Sequence, residues 1–304
     1  MSSSIAVKRR DPAQPPGLVL GTAGLGGVWG PIDEGASRSA IQQALEAGIT
    51  RLDTAPAYAR AEEIVGAALR EYRGDRPFLS TKVGKLQADS ASADTNDYHL
   101  AVMQKSLDRS REVLGRERLD LVFLHEPEKV PPTSIPRVIA WMERLRTDGI
   151  ATQIGLGGVV PEAYHPALRA GTFNVVMSYN NLNAANLSGV AVDLPFFQSC
   201  GVTTYQGSPL YMGLLGDRYA EFQHDAPPWF DTQTLSRATR AKEVADRHGL
   251  GLAELAHRFL LTVAGPDYLV LGARTPRQLK ETLAQFARGP LPEPIFNQLT
   301  QAIQ

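Results

Sequence analysis

Leu119-Asp120-Leu121-Val122-Phe123-Leu124-His125 is the stretch that decides how this chain folds. Its first six residues are apolar except for Asp120, too short a run for a helix and too continuous for a strand with one wet face. A run of this kind reads as a strand covered on both sides. After it, Val138, Trp141, Met142 and Leu145 recur at helical spacing, and Gly149 is placed to stop that helix. A second short apolar run, Thr152–Leu156, follows directly. Strand, helix and strand in that order form the unit of a parallel sheet with a right-handed crossover.

The same unit repeats outward in both directions. Leu18–Gly21, Thr50–Asp53 and Phe78–Lys82 precede it; Asn174–Met177, Val202–Tyr205 and Tyr268–Leu271 follow. Between them Ala40, Ile41, Ala44 and Leu45 predict a helix stopped by Gly48, and Leu100, Met103, Leu107 and Val113-Leu114 predict another. Later helices are expected over Leu235–Arg247, Leu252–Val263 and Thr275–Phe286. Eight short strands separated by helices predict an α/β protein, a single-domain (β/α)8 TIM barrel over residues 1–304 with 1–17 as an N-terminal extension. The rival is an open doubly wound sheet, which usually has fewer strands and often a glycine-rich first turn.

Composition narrows the function. The 304 residues carry 31 Lys and Arg against 32 Asp and Glu, a formal net charge of −1, so no basic excess draws nucleic acid or an anionic membrane. The lone Cys200 forms no internal disulfide and offers no CxxC. No run of about 18 apolar residues spans a bilayer, and residues 1–11 show no signal-peptide pattern. The expectation is a cytoplasmic protein of a reducing compartment.

In a barrel of this type the active site forms at the C-terminal ends of the strands. The second, third and fourth runs end in Asp53, Lys82 and His125, and Tyr58 lies five residues past Asp53. Singly, Asp53 reads as a loop cap, Lys82 as a lysine reaching solvent, Tyr58 as a packed aromatic and His125 as a structural histidine. Together they suit proton transfer at a carbonyl or alcohol carbon. A tyrosine is too weak an acid unaided; a nearby ammonium lowers its pKa, an aspartate holds the ammonium, and a histidine orients the substrate oxygen. Hydride must come from a cofactor, since no side chain supplies one.

Leu52-Asp53-Thr54-Ala55-Pro56-Ala57-Tyr58, Ser80-Thr81-Lys82-Val83-Gly84 and Phe123-Leu124-His125 resemble the motifs of the aldo-keto reductase family, from about Gly21 to Phe286. The resemblance implies a (β/α)8 barrel binding NADPH or NADH, with Asp53, Tyr58, Lys82 and His125 as catalytic tetrad. It also implies that Gly21, Thr22, Ala23 and Asp53 lie at the nicotinamide end. Ser208, Leu210, Gly213 and Leu215 match the loop that wraps the pyrophosphate. Gly272, Arg274, Gln278 and Glu281 match the adenosine-phosphate segment, and Arg274 favours NADP, with NAD as the alternative.

Three departures from the family pattern bear on the nicotinamide. Gly157-Gly158 stands where many members have Ser-Asn, Gly207 where many have a stacking tyrosine, and Met177 or Ser178 nearest the usual glutamine; Tyr179 or Tyr205 is expected to help instead. Val176-Met177-Ser178-Tyr179-Asn180, Ser208–Leu215 and Pro227-Pro228-Trp229 resemble the aldose 1-dehydrogenase branch, whose members oxidise a sugar's anomeric carbon to a lactone. That implies a small-molecule sugar or aldehyde substrate of D-threo-aldose, L-galactose or L-fucose type; besides Tyr58 and His125, loop position alone makes Trp29, Asn180, Asn181 and Trp229 candidates to meet it. The alternatives are a general NADPH-dependent aldehyde or ketone reductase and a nicotinamide-binding sensor with little turnover. A metal-dependent hydrolase fails on ligands, because the six histidines show no HxH or HExxH pairing.

Overall fold

The computed structural model describes residues 5–88, 93 and 95–304. Of the extension expected over 1–17, residues 1–4 lie outside the described residues. The strands are β1 Gly17–Gly21, β2 Arg51–Asp53, β3 Phe78–Val83, β4 Leu119–His125, β5 Ala151–Gly157, β6 Val175–Tyr179, β7 Thr203–Gly207 and β8 Tyr268–Gly272. All pairs are parallel, and β1 closes on β8. The eight apolar runs are these eight strands, each shifted by no more than a residue or two. Closure into a barrel removes the open-sheet alternative.

Alternation along each strand separates two cores. Side chains pointing inward fill the barrel: Val19, Leu121, Phe123, Val175, Met177, Tyr205 and Val270 form one buried cluster. Side chains pointing outward meet the surrounding helices in a second, larger cluster that includes Leu20, Leu52, Leu79, Val122, Leu124 and Leu156. Each such residue contributes roughly 1.5–3 kcal/mol relative to exposure. The helices α1 Glu34–Glu46, α2 Ala61–Glu71, α3 Leu100–Leu114 and α4 Ile135–Thr147 lie outside β1 to β5. Those expected near the C-terminus are α5 Thr232–Arg247, α6 Leu252–Thr262 and α7 Pro276–Ala287. Helix α2 and a last helix, α8 Glu293–Ala302, were not singled out in the sequence.

The N-terminal end of the barrel is plugged. The Arg51 guanidinium lies 4.0 Å from the centroid of Phe78 and 4.6 Å from that of Tyr268, and donates to the Tyr205 hydroxyl at 3.2 Å. The opposite rim is built differently. Among the described residues, every non-glycine residue with positive φ follows the C-terminal end of a strand: Ala59 after β2, Glu126 after β4, Asn180 after β6, and Ser208, Tyr211 and Met212 after β7. Strained backbone of this kind concentrates where function needs it. Of the exposed large apolar side chains, Trp29, Val159, Tyr179, Met212 and Trp229 lie at this rim, at the end of a strand or on the loop that follows one; Val192 lies among the short helices before β7.

Candidate active site

Strand register sets the level of the site. Gly21 on β1 pairs with Asp53 on β2 and with Gly272 on β8, while Lys82 on β3 pairs with Phe123 on β4. Asp53, Lys82 and His125 therefore reach one rim from neighbouring strands, as expected from their run ends. Lys82 Nζ donates to Asp53 Oδ2 at 2.6 Å and to the Thr54 carbonyl at 2.9 Å. Ser80 Oγ donates to Asp53 Oδ1 at 2.7 Å. Thr81, pointing the other way, donates to Glu62 Oε1 on α2 at 2.6 Å. Nζ also lies 4.8 Å from the centroid of the Tyr58 ring. The Tyr58 and His125 rings meet edge to face, with centroids 5.9 Å apart and planes at 87°. The four residues form one cluster.

Electrostatics differ from the sequence expectation at one point. Lys82 does pull the Tyr58 phenol down, but burial outweighs it and Asp53 opposes it, so the pKa lies above the ordinary 10. The reason is that the ammonium is already paired and the site excludes water. Burial also lowers Lys82, yet Asp53 and Tyr58 more than offset this and its pKa is raised. Burial, then Lys82 and Lys85, hold His125 well below 6.5, so the imidazole is neutral. Its Nδ1 is buried and has no hydrogen-bond partner among the described residues.

The expected cofactor residues divide into two groups. Gly207 and Gly272 end β7 and β8 without side chains: a Cβ on Gly272 would meet nothing within 4 Å, and one on Gly207 only Ser178 and Tyr179 atoms at 3.5 Å. This leaves an open floor beside Gly21 and Ala23. Around it stand the half-buried Ser208, the exposed Arg274 and the N-terminus of α7, where Thr275 Oγ1 accepts from Gln278 N at 3.2 Å. A hydroxyl, a guanidinium and a helix N-terminus form a donor set suited to a polyanionic nucleotide. Arg274 Nη2 meets the Trp29 carbonyl at 3.4 Å, so the β8 loop reaches across to the β1 loop. Gln278 Oε1 accepts from Arg274 N, and Glu281 pairs with Arg277.

Other expected residues have polar groups engaged within the fold. Thr22 is wholly buried, and both its N–H and Oγ1 donate to the Asp53 carbonyl at 3.0 Å; it braces Asp53 rather than facing a ligand. Leu215 is buried in the outer core, and its amide and that of Gly213 both donate to the Leu210 carbonyl. Neither amide is free for a pyrophosphate, and these residues shape the loop. Tyr205 points to the Arg51 plug at the far end of the barrel, so it cannot help the nicotinamide. Tyr179 is exposed at the rim in register with Gly207. Gly158 has a local cause: a Cβ there would sit 2.7 Å from Glu128 Oε2.

The expected substrate residues Trp29 and Trp229 are exposed on rim loops. Asn180 has φ 61, its carbonyl accepts from Asn183 and Asn186, and its buried Oδ1 has no partner among the described residues. Lys85 and Glu126, ion-paired at 2.6 Å beside the tetrad, were not singled out in the sequence. Their only signal is adjacency to Lys82 and His125. Among the described residues there is no cluster of three or more potential metal ligands, and no helix long and apolar enough to cross a membrane.

Known proteins match this chain over nearly its whole length. The model of the Aldo/keto reductase family matches residues 17–304. The D-threo-aldose 1-dehydrogenase of Pseudomonas sp is 25% identical, covering 94% of each chain. The L-galactose dehydrogenase of Arabidopsis thaliana is 25% identical over 87% of this chain and 82% of its own. In fold, the chain is similar to the glycerol dehydrogenase of Gluconobacter oxydans, with a TM-score of 0.77 at 23% identity over 100% of this chain and 96% of that one.

Proposed function

The chain belongs to the aldo/keto reductase family, and from that premise we propose that it oxidises the anomeric carbon of an aldose to a lactone, with NADP preferred over NAD. As a member it is a nicotinamide-dependent oxidoreductase of small molecules. One observation carries the reading: a buried, ion-paired Lys82 lies beneath Tyr58, with a neutral His125 against the phenol's edge. The aldose class is supported by the names of two relatives, D-threo-aldose 1-dehydrogenase and L-galactose dehydrogenase.

Gly207 and Gly272, beside Gly21 and Ala23, would hold the nicotinamide, which would supply the acceptor for a hydride from the anomeric carbon. Tyr58 takes the proton of the anomeric hydroxyl as the carbonyl forms; in reduction it returns that proton. Lys82 orients the phenol and stabilises the phenolate as it forms. His125, with Nδ1 enclosed, presents Nε2 to the substrate oxygen. Arg274 and the N-terminus of α7 are assigned to the phosphates, with Arg274 selecting the 2′-phosphate. The single cysteine suits work in the reducing cytoplasm.

The test is NAD(P)H absorbance when the protein meets L-galactose, L-fucose and D-arabinose with each oxidised cofactor, beside Tyr58→Phe. Sugar-dependent reduction of the cofactor, lost in the variant, is expected. A protein inert to all three sugars that reduces small aldehydes with NADPH is instead a general carbonyl reductase. Cofactor binding without turnover in either direction would identify a sensor.

A further inference from the structure

One ion pair at the rim has no part in the proton transfer. Lys85 lies three residues past Lys82 and Glu126 directly follows His125, so the adjacent strands β3 and β4 carry the pair to the edge of the tetrad. Lys85 Nζ donates to Glu126 Oε1 at 2.6 Å, and Asn96 Nδ2 donates to Oε2 at 3.0 Å. The two side chains are 16% and 15% exposed, withdrawn from bulk water yet still reachable. Burial dominates the pKa shifts of Tyr58 and His125, but the charge of Glu126 registers on Tyr58 and that of Lys85 on His125. The pair stands next to the reacting groups.

The backbone is bent to keep Glu126 there. Its φ of 50 and ψ of 60 are left-handed, a conformation few non-glycine residues adopt without a reason. The Tyr98 hydroxyl shares its one proton between the carbonyls of His125 (2.9 Å) and Glu126 (2.8 Å), and itself accepts from Asn96 Nδ2 at 2.7 Å. The Tyr98 hydroxyl grips main-chain oxygens, so its hold on the loop does not depend on the side chain at 126; only the Asn96 contact to Oε2 does.

The valences of the pair are not spent. A carboxylate offers about four acceptor directions and an ammonium three donors. Among the described residues, Lys85 and Asn96 use two of the former, and Glu126 uses one of the latter. A partly buried ion pair adds little stability for the desolvation it requires. A reachable acceptor beside a reachable donor, with no net charge, is the complement of neighbouring hydroxyl groups.

Resting on the aldose reading above, we propose that the Lys85–Glu126 pair is the hydroxyl-recognition station of the substrate site. The carboxylate accepts from one substrate hydroxyl, the ammonium donates to the next, and neutral polyhydroxylated carbonyl compounds are selected over unsubstituted ones.

The experiment compares native protein, Glu126→Gln and Lys85→Met in the NADPH-dependent reduction of glyceraldehyde, with two hydroxyls, and propanal, with none. The native protein prefers glyceraldehyde. Each variant loses about 10- to 100-fold in kcat/KM on glyceraldehyde and less than about 3-fold on propanal, the scale of lost hydrogen bonds to charged groups. Equal losses on both aldehydes place the residues behind His125 or the fold and overturn the proposal. No loss on either, or no native preference for glyceraldehyde, overturns it too. Failure of the aldose reading looks different: no oxidation of sugars, with the glyceraldehyde preference and its loss in the variants intact.

Discussion

Asp53 Oδ2 and Lys82 Nζ meet at 2.6 Å across 29 residues of sequence, with side chains only 3% and 2% exposed. Ser80 Oγ holds the other carboxylate oxygen, the Thr54 carbonyl takes a second ammonium proton, and Thr22 braces the Asp53 main chain. The pair is both the electrostatic floor under Tyr58 and a joint between β2 and β3.

Breaking one side of that joint leaves an unpaired buried charge. Lys82→Met is expected to cost about 3–5 kcal/mol in urea unfolding. Adding Asp53→Asn should recover a large part of this while activity stays lost. A Lys82→Met protein as stable as the native one would show that the pair contributes no such constraint.

Tyr58→Phe removes the proton carrier of the proposed reaction and little else. Turnover should fall by about 10²- to 10⁴-fold, the usual weight of a general acid or base. Cofactor affinity, followed by quenching of protein fluorescence, should stay at its native value. A variant with near-native turnover would move proton transfer to another residue.

The raised pKa of Tyr58, set first by burial against the pull of Lys82, predicts opposite pH profiles for the two directions. Oxidation needs an acceptor for the proton, so kcat/KM should climb about tenfold per pH unit above neutrality. Reduction needs the phenol protonated and should stay level until pH passes the ordinary tyrosine range. His125, neutral throughout, should add no step near 6.5. An oxidative profile already level at neutral pH would contradict an elevated phenol.

Glu62 on α2 is buried, and although the Thr81 and Ser110 hydroxyls favour its ionised form, burial pushes its carboxyl up to about 7 from 4.5. The folded chain thus holds a proton that the unfolded chain has released, and stability falls as pH rises from about 4.5 to about 7. By about pH 8 the cost approaches 3 kcal/mol. Glu62→Gln should be increasingly stabilised over the native protein across that window, in urea unfolding at successive pH values. A difference independent of pH would refute the assignment.

Arg274→Ala should raise KM for NADP by about 10- to 100-fold, as expected for a lost charge-assisted contact, and leave KM for NAD almost unchanged. Equal effects on both cofactors would mean that Arg274 acts through its contact with the Trp29 carbonyl, closing the β1 and β8 loops.

The barrel was legible in the chain because strands covered on both faces must be apolar throughout, and Leu119–Leu124 and its seven counterparts have no other ready reading. The tetrad was legible for a related reason: a polar residue ending such a run must face the rim, which is where Asp53, Lys82 and His125 stand. Loop residues were less legible. Whether the amides of Gly213 and Leu215 are free depends on a turn that folds them onto the Leu210 carbonyl. No local pattern displays that closure. Tyr205 and Tyr179 look alike in sequence, yet one sits mid-strand above the Arg51 plug and the other at the strand end.

The sequence by itself therefore determined the eight apolar strands and the placing of Asp53, Lys82 and His125 at strand ends, since burial on two faces and strand alternation are written in nearest neighbours. Only the tertiary structure decided the direction of the Tyr58 shift, the bracing role of Thr22, and the meeting of Lys85 with Glu126 across 41 residues. Enclosure and pairing at a distance arise when separate strands close into one ring. The strength of an ionisable group is set by what that closure places around it.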